Sequence, residues 1–237
     1  MNPDRFYSAI DATWPAAETA MVDPWLLRRG AGGGKRVSSA TAHGSVQQPD
    51  VEQAVVAMDN WGQDPLFMIR PHDQELDALL AAQGYGIIDP TNVYSVAIER
   101  LTEVPLPRVT AFCIWEPLAI MCEIWAKGGI GPERIDVMER AHVKTGILAR
   151  WNEKPAGAAF AAVDGDICMV HAVEVLPGQR RQGVAQWIMR AAAFWGQKHG
   201  ASHMSVLCTA ANRPANKLYS SLGFERVGHY HYRHKAA

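Results

Sequence analysis

The chain has 237 residues, 48% hydrophobic and 20% charged, which is apolar enough for one large or two small cores and excludes a disordered chain. Its net charge of −1, spread over mixed signs with no basic block, excludes the electrostatic footprint of a nucleic-acid binder. No run approaches the roughly 18 apolar residues of a membrane span. The opening Met1-Asn2-Pro3-Asp4-Arg5-Phe6 lacks a basic-then-apolar leader pattern, so a cytoplasmic location is expected. Cys113, Cys122, Cys168 and Cys208 form no CxxC pair and read as buried free thiols.

In chain order, a short helical segment is followed by Trp25 to Ala40, two strand-like runs around a glycine turn, read as a hairpin. Gly34-Lys35 invites comparison with a phosphate-binding P-loop. The spacing fails, because Arg29 stands where the first glycine belongs and Arg36 where Ser or Thr does. Val51, Ala54, Val55 and Met58 form a helical apolar stripe, Pro65 to Arg70 reads as a strand, and Glu75 to Gln83 as a helix closed by Gly84. Strand-rich sequence runs to Leu101. Thr102 to Pro107, with two prolines, is the linker, dividing the chain into residues 1–101 and 108–237.

Beyond the linker, Val109 to Cys113 predicts a strand and Pro117 to Ala126 and Pro132 to Ala141 two helices. Thr145 to Trp151, Ala156 to Val163 and Ile167 to Val175 follow as three strands in meander order, joined by tight-turn sequences. Val184 to His199 reads as a long helix, His203 to Leu207 as a strand, Arg213 to Leu222 as a helix closed by Gly223, and Phe224 to Tyr232 as the last strand. The expected class is a mixed α/β fold. The pattern Leu79-Leu80-Ala81-Ala82-Gln83-Gly84-Tyr85 repeats as Leu218-Tyr219-Ser220-Ser221-Leu222-Gly223-Phe224, which favours two copies of one fold, the first reduced.

Two constellations carry chemistry. Val175-Leu176-Pro177 leads through Arg180, Arg181, Gln182 and Gly183 into a helix opening with Val184 and Ala185. A helix N-terminus offers unpaired N–H groups, small residues let an anion approach them, and arginines add charge-assisted bonds. Read alone, the junction equally suits a solvated loop. Downstream, Asn212 caps a helix begun by Arg213-Pro214, with Ala215, Leu218 and Leu222 as its buried stripe and Asn216 and Tyr219 on an adjacent face.

Together the two segments resemble the GNAT superfamily of acetyl-CoA-dependent N-acyltransferases, over roughly Arg108 to Tyr232. Arg180-Arg181-Gln182-Gly183-Val184-Ala185 is similar to that family's pyrophosphate loop, and Asn212 to Phe224 to its second cofactor motif. The resemblance implies the GNAT fold, complete in the second half, with a split sheet in which the pantetheine arm of acetyl-CoA pairs with the backbone of Val173 and Val175. It implies that an amine on a small molecule or peptide attacks the acetyl thioester directly, and that Tyr219 protonates the departing thiolate. The N–H near Val175 would polarise the carbonyl, and Asn212 and Asn216 would contact the pantetheine or order water.

Two candidates for a base lie on the strand entering the loop. Strict alternation puts His171 on one face with Val173 and Val175 and Glu174 on the other; each also suits a purely structural role. His229 and His231 alternate along the last strand without a carboxylate or cysteine partner, so an edge strand lining the acceptor pocket is the reading and no metal is expected. In the first half Leu80 stands where Tyr219 stands and no Arg-x-x-Gly-x-Ala loop occurs, as in the reduced half of tandem GNAT proteins. A monomer or homodimer without nucleic-acid or membrane partners is expected. A silent acyl-CoA-binding module and an enzyme using longer acyl donors remain as alternatives.

Overall fold

A computed structural model describes residues 2–235. Its elements are α1 (Pro3–Thr13), β1 (Glu18–Val22), β2 (Trp25–Arg29), β3 (Thr41–Ala42), α2 (Gln48–Asp59), β4 (Leu66–Ile69), α3 (Gln74–Ala82) and β5 (Gly86–Ala97). There follow α4 (Glu99–Thr102), β6 (Ala111–Ile114), α5 (Ala119–Lys127), α6 (Pro132–Arg140), β7 (Val143–Trp151), β8 (Lys154–Asp164) and β9 (Ile167–Val175). The chain closes with α7 (Val184–Lys198), β10 (His203–Thr209), α8 (Arg213–Ser221) and β11 (Glu225–His234). No helix among the described residues is long and apolar enough to cross a membrane.

Eight strands form one mixed sheet in the order β4-β11-β5-β10-β9-β8-β7-β6. Its centre is sequence-encoded in β8, where alternate residues serve two cores. Ala159 and Ala161 face the α7 side, and Ala158, Phe160 and Ala162 face α1 and α5. The small side chains let both layers close in. On α7, Val184, Ile188, Met189 and Ala192 form the buried stripe; a buried side chain of the size of Ile188 contributes about 1.5–3 kcal/mol.

β5 lies between β10 and β11, antiparallel to both, and β11 is antiparallel to β4. The first half thus supplies two strands of the sheet, and β11 is an interior strand, not the edge strand expected. His231 Nε2 pairs with Asp77 Oδ1 at 2.8 Å, beside Arg233. Among the described residues no group of three or more His, Cys, Asp or Glu gathers.

Some strand pairings recur in the two halves. β1, β2 and β3 run antiparallel, and Ala40, just before β3, bridges Phe67 of β4 in parallel. In the second half β7, β8 and β9 run antiparallel, and β9 is parallel to β10. The helix ends repeat too. Gly84 and Gly223 sit at φ +85° and +84°, and the next residues, Tyr85 and Phe224, donate their N–H to Leu80 and Tyr219 carbonyls, both at 3.0 Å.

Two local expectations change. The run from Trp25 does form a hairpin, but β2 pairs with Thr41–Ala42 across a longer glycine-rich connection that includes a 3₁₀ turn at Lys35–Val37, and on its other side with β1. All four cysteines are free, but only Cys168 and Cys208 are buried; Cys113, on edge strand β6, is exposed.

Candidate active site

β9 and β10 pair from Ile167 with His203 to Val170 with Val206 and then part, although β9 continues to Val175 and β10 to Thr209. This opens a split in the sheet. Leu176 donates its N–H to Ala156 O on β8 at 2.9 Å, so alternation turns the backbone of Val175 and Val173 into the split. Arg180 Nε caps Val175 O at 3.0 Å.

Ala172 forms a bulge at the mouth. Pairing with β8 jumps between Phe160–His171 and Ala158–Glu174, Ala172 takes φ +52°, and Trp125 Nε1 donates to its carbonyl at 2.9 Å. The extra residue shifts the side-chain parity. Val173 and Val175 pack with the α7 core. His171 packs against Trp14 and Phe160, and a Cβ on Gly128, just past α5, would collide with the Glu174 carboxyl group. His171 and Glu174 therefore share the α1/α5 face, and the predicted grouping of His171 with the two valines is corrected.

The loop and the start of α7 form an open anion cradle. Arg181 at φ +63° and Gly183 at φ +80° turn successive N–H groups toward one side, a conformation that Gly183 adopts without Cβ strain. The N–H groups from Arg181 through Gln186 have no acceptor among the described residues, and no side chain caps the helix. Helix dipole and two exposed arginines add positive charge, while Gln182 folds back onto Gly178 O at 3.2 Å. Val184 is buried, and Ala185 leaves the first turn unobstructed.

α8 forms the opposite wall. Asn212 Oδ1 accepts the Ala215 N–H at 3.2 Å, the cap expected. Tyr219 is the buried residue of α8, only 6% exposed, packed on Tyr94 of β5 and on Phe224. This corrects the expected stripe, in which Ala215 and Leu218 were buried and Tyr219 was not. The cover comes from β5, an element of the first half. Burial, with Cys208 adding to it, pushes the Tyr219 phenol well above its ordinary range, so it stays protonated at any working pH.

Asn216 is likewise occupied by the protein. Its Nδ2 donates to Thr209 O and Asn212 O at 2.9 and 2.8 Å, and its Oδ1 accepts from Tyr94 at 2.9 Å. It ties α8 to β10 and β5 and leaves no polar atom for pantetheine.

His171 is 4% exposed, with Nδ1 3.0 Å from Arg36 and Nε2 3.0 Å from Thr13 Oγ1. Arg36 can only donate, so Nδ1 accepts, and the proton on Nε2 goes to Thr13, whose hydroxyl donates to Ala9 O. Burial first, and Arg36 second, hold its pKa well below the usual value. The geometry gives His171 a structural place with no free nitrogen for catalysis. Glu174 is half-buried at the mouth; burial raises its pKa, and Arg180 opposes that rise. Thr13, Trp14, Arg36 and Tyr94 escape sequence reasoning because each reaches the site from the other half of the chain.

Residues 117–224 match the model of the acetyltransferase (GNAT) family. A stretch of 75 residues is 35% identical to streptothricin acetyltransferase of Streptomyces lavendulae, covering 30% of this chain and 40% of that one. Over 94% of its length the chain is 24% identical to the uncharacterized N-acetyltransferase YobR of Bacillus subtilis (strain 168), 95% of which it spans. Among solved structures, a GCN5-related N-acetyltransferase from Kribbella flavida superimposes with a TM-score of 0.71 at 17% identity, covering 99% of this chain and 95% of that one.

Proposed function

Through residues 117–224 the chain belongs to the acetyltransferase (GNAT) family, and from that premise we propose that it moves the acetyl group of acetyl-CoA to a primary amine of a small molecule or peptide. The observation that carries this reading is the β9–β10 split, bounded by an uncapped helix N-terminus on one side and Tyr219 on the other. The unpaired N–H groups from Arg181 to Gln186, with Arg180 and Arg181, suit a pyrophosphate. The backbone of Val173 and Val175 suits an amide-bearing arm laid along the free strand edge.

Acetyl-CoA supplies the thioester that the amine attacks. The N–H groups turned into the split by Val173 and Val175 polarise its carbonyl. Tyr219 gives its proton to the departing sulfur, and Glu174 takes the proton from the amine, directly or through water. Burial suits Glu174 to this role, since a raised carboxylate pKa makes a stronger base. His171 and Asn216 serve as positioning residues, the one behind the bulge and the other beneath α8.

The first half is a reduced copy that braces the second. Supporting this are the matched glycine caps and strand pairings, and the N-terminus of α2. There Gln47 and Asp50 form a reciprocal capping box, with the Gln47 N–H 2.7 Å from Asp50 Oδ2, so a carboxylate sits where the second half leaves its donors free. Leu80, fully buried, takes the place of Tyr219.

Thiol release from acetyl-CoA over a panel of amines, amino acids and peptides tests the proposal. Release that depends on an added amine, with an N-acetylated product by mass, supports it. Release independent of every amine, or none at all, overturns it.

A further inference from the structure

The first half keeps its own split. Past the Ala40–Phe67 bridge, β3 stays with β2 while β4 runs on to Arg70, and a cavity of about 1130 Å³ opens between them, roofed by α1. Arg70 lines it. The Arg70 guanidinium lies 4.7 Å over the Tyr7 ring, forms no ion pair or side-chain hydrogen bond among the described residues, and buries its Nε without an acceptor. A cation half withdrawn from water and left without a partner is costly unless something supplies the missing acceptor.

Apart from His43 and His72, the titratable groups of the rest of the lining are carboxylates. Asp4, Asp11, Asp73 and Glu75 all reach the cavity. Arg28 pairs with Asp11 through two bonds of 2.8 Å, and His72 Nε2 lies 3.5 Å from Asp73 Oδ1. Asp73 accepts the Arg70 backbone N–H at 2.8 Å, while Asp4 is exposed and forms no ion pair among the described residues. A phosphate dianion on Arg70 would meet this excess of carboxylates, and the capping box at α2 closes the donors that a pyrophosphate would need. A single carboxylate carried by a molecule with its own ammonium group satisfies both signs.

We propose that this cavity is a second ligand site, for a zwitterion of amino-acid or dipeptide class, its carboxylate forked on Arg70 and its ammonium group on the Asp4 side. The planar guanidinium, steadied by Tyr7, matches a carboxylate in two parallel bonds. Tyr7 is itself fixed, its hydroxyl donating to His229 O at 2.7 Å. The site is independent of acetyl transfer, since it shares no residue with the β9–β10 split.

Isothermal titration of the full chain, saturated with coenzyme A, with glycine, L-lysine, L-glutamate and glycylglycine tests it, with acetate, methylamine and inorganic phosphate as single-group probes. The expected result is 1:1 binding of at least one zwitterion, weaker binding of acetate and methylamine, and none of phosphate. Hydrogen exchange on the unmodified protein should then show protection over residues 43–46 and 70–76. Arg70→Gln should weaken that zwitterion about tenfold or more, the loss of one charge-assisted pair, with acetyl-CoA affinity unchanged. Should Arg70→Gln not fold, Asp4→Lys on the exposed first turn of α1 takes its place, with the same expectation. Failure of all four zwitterions to bind, tighter binding of phosphate, protection confined to the Glu174 region, or full affinity in a folded variant overturns the proposal.

Discussion

Tyr94, on a strand from the first half, donates its hydroxyl to Asn216 Oδ1 at 2.9 Å, on the helix that carries Tyr219. The bond holds a wall of the second half's split from outside that half. Tyr94→Phe removes the donor to Asn216 Oδ1 and should cost about 0.5–1.5 kcal/mol in urea denaturation. It should also raise the KM for acetyl-CoA while the rate at saturating donor holds. Asn216→Ala removes both side-chain donations to Thr209 O and Asn212 O and leaves the Tyr94 hydroxyl without its acceptor, and should cost more, about 1–3 kcal/mol.

Tyr219→Phe keeps the ring packed on Tyr94 and Phe224 and deletes only the hydroxyl. Turnover should fall about 10²-fold or more, the usual scale for a lost general acid, with the acetyl-CoA dissociation constant unchanged in titration calorimetry. Because burial raises the Tyr219 pKa, the wild-type rate should show no decline from its ionisation below about pH 10, the ordinary phenol value. Equal rates in the two proteins would remove Tyr219 from the mechanism.

Arg180→Ala and Arg181→Ala should each weaken acetyl-CoA about tenfold through loss of a phosphate contact, and the wild-type affinity should drop with added salt. Calorimetry should return one acetyl-CoA per chain. The Asp50 carboxylate at the start of α2 keeps a second molecule from the first half, and a stoichiometry of two would overturn the reduced-copy reading.

His171 sets a pH limit on stability. Its folded pKa lies well below its unfolded value, so between the two the unfolded chain binds the extra proton. Stability is therefore complete above about pH 6.5 and falls as the pH drops below it, by up to about 1.4 kcal/mol per unit. Denaturation midpoints from pH 7.5 to 5 should follow this slope in the wild type and flatten in His171→Gln.

Features encoded locally were legible in the sequence. Ile167–Val175 reads directly as β9 from its apolar run and flanking turns, and the helix from Val184 from its stripe. The cradle and cap at Gly183 and Asn212 follow from residue types at fixed offsets. Features that depend on distant partners were not. An added residue at Ala172 leaves no mark in composition, yet it reverses which face Val173 and Val175 share. Tyr219 looked like a surface residue because the ring that covers it, Tyr94, sits across the linker. The insertion of β5 between β10 and β11 has no local signature, since any apolar strand could fill that slot.

That insertion also dictates the order of events as the chain is made. Asn92 pairs with His229, so β5 leaves the ribosome long before its outer neighbour exists, and β4 waits longer still for Tyr232. Until the last strand arrives, β5 is an open edge, a species prone to pair with another copy of itself. Loss of the final ten residues would accordingly expose both halves at once, and a chain cut at the linker would carry two unfinished sheets rather than two domains.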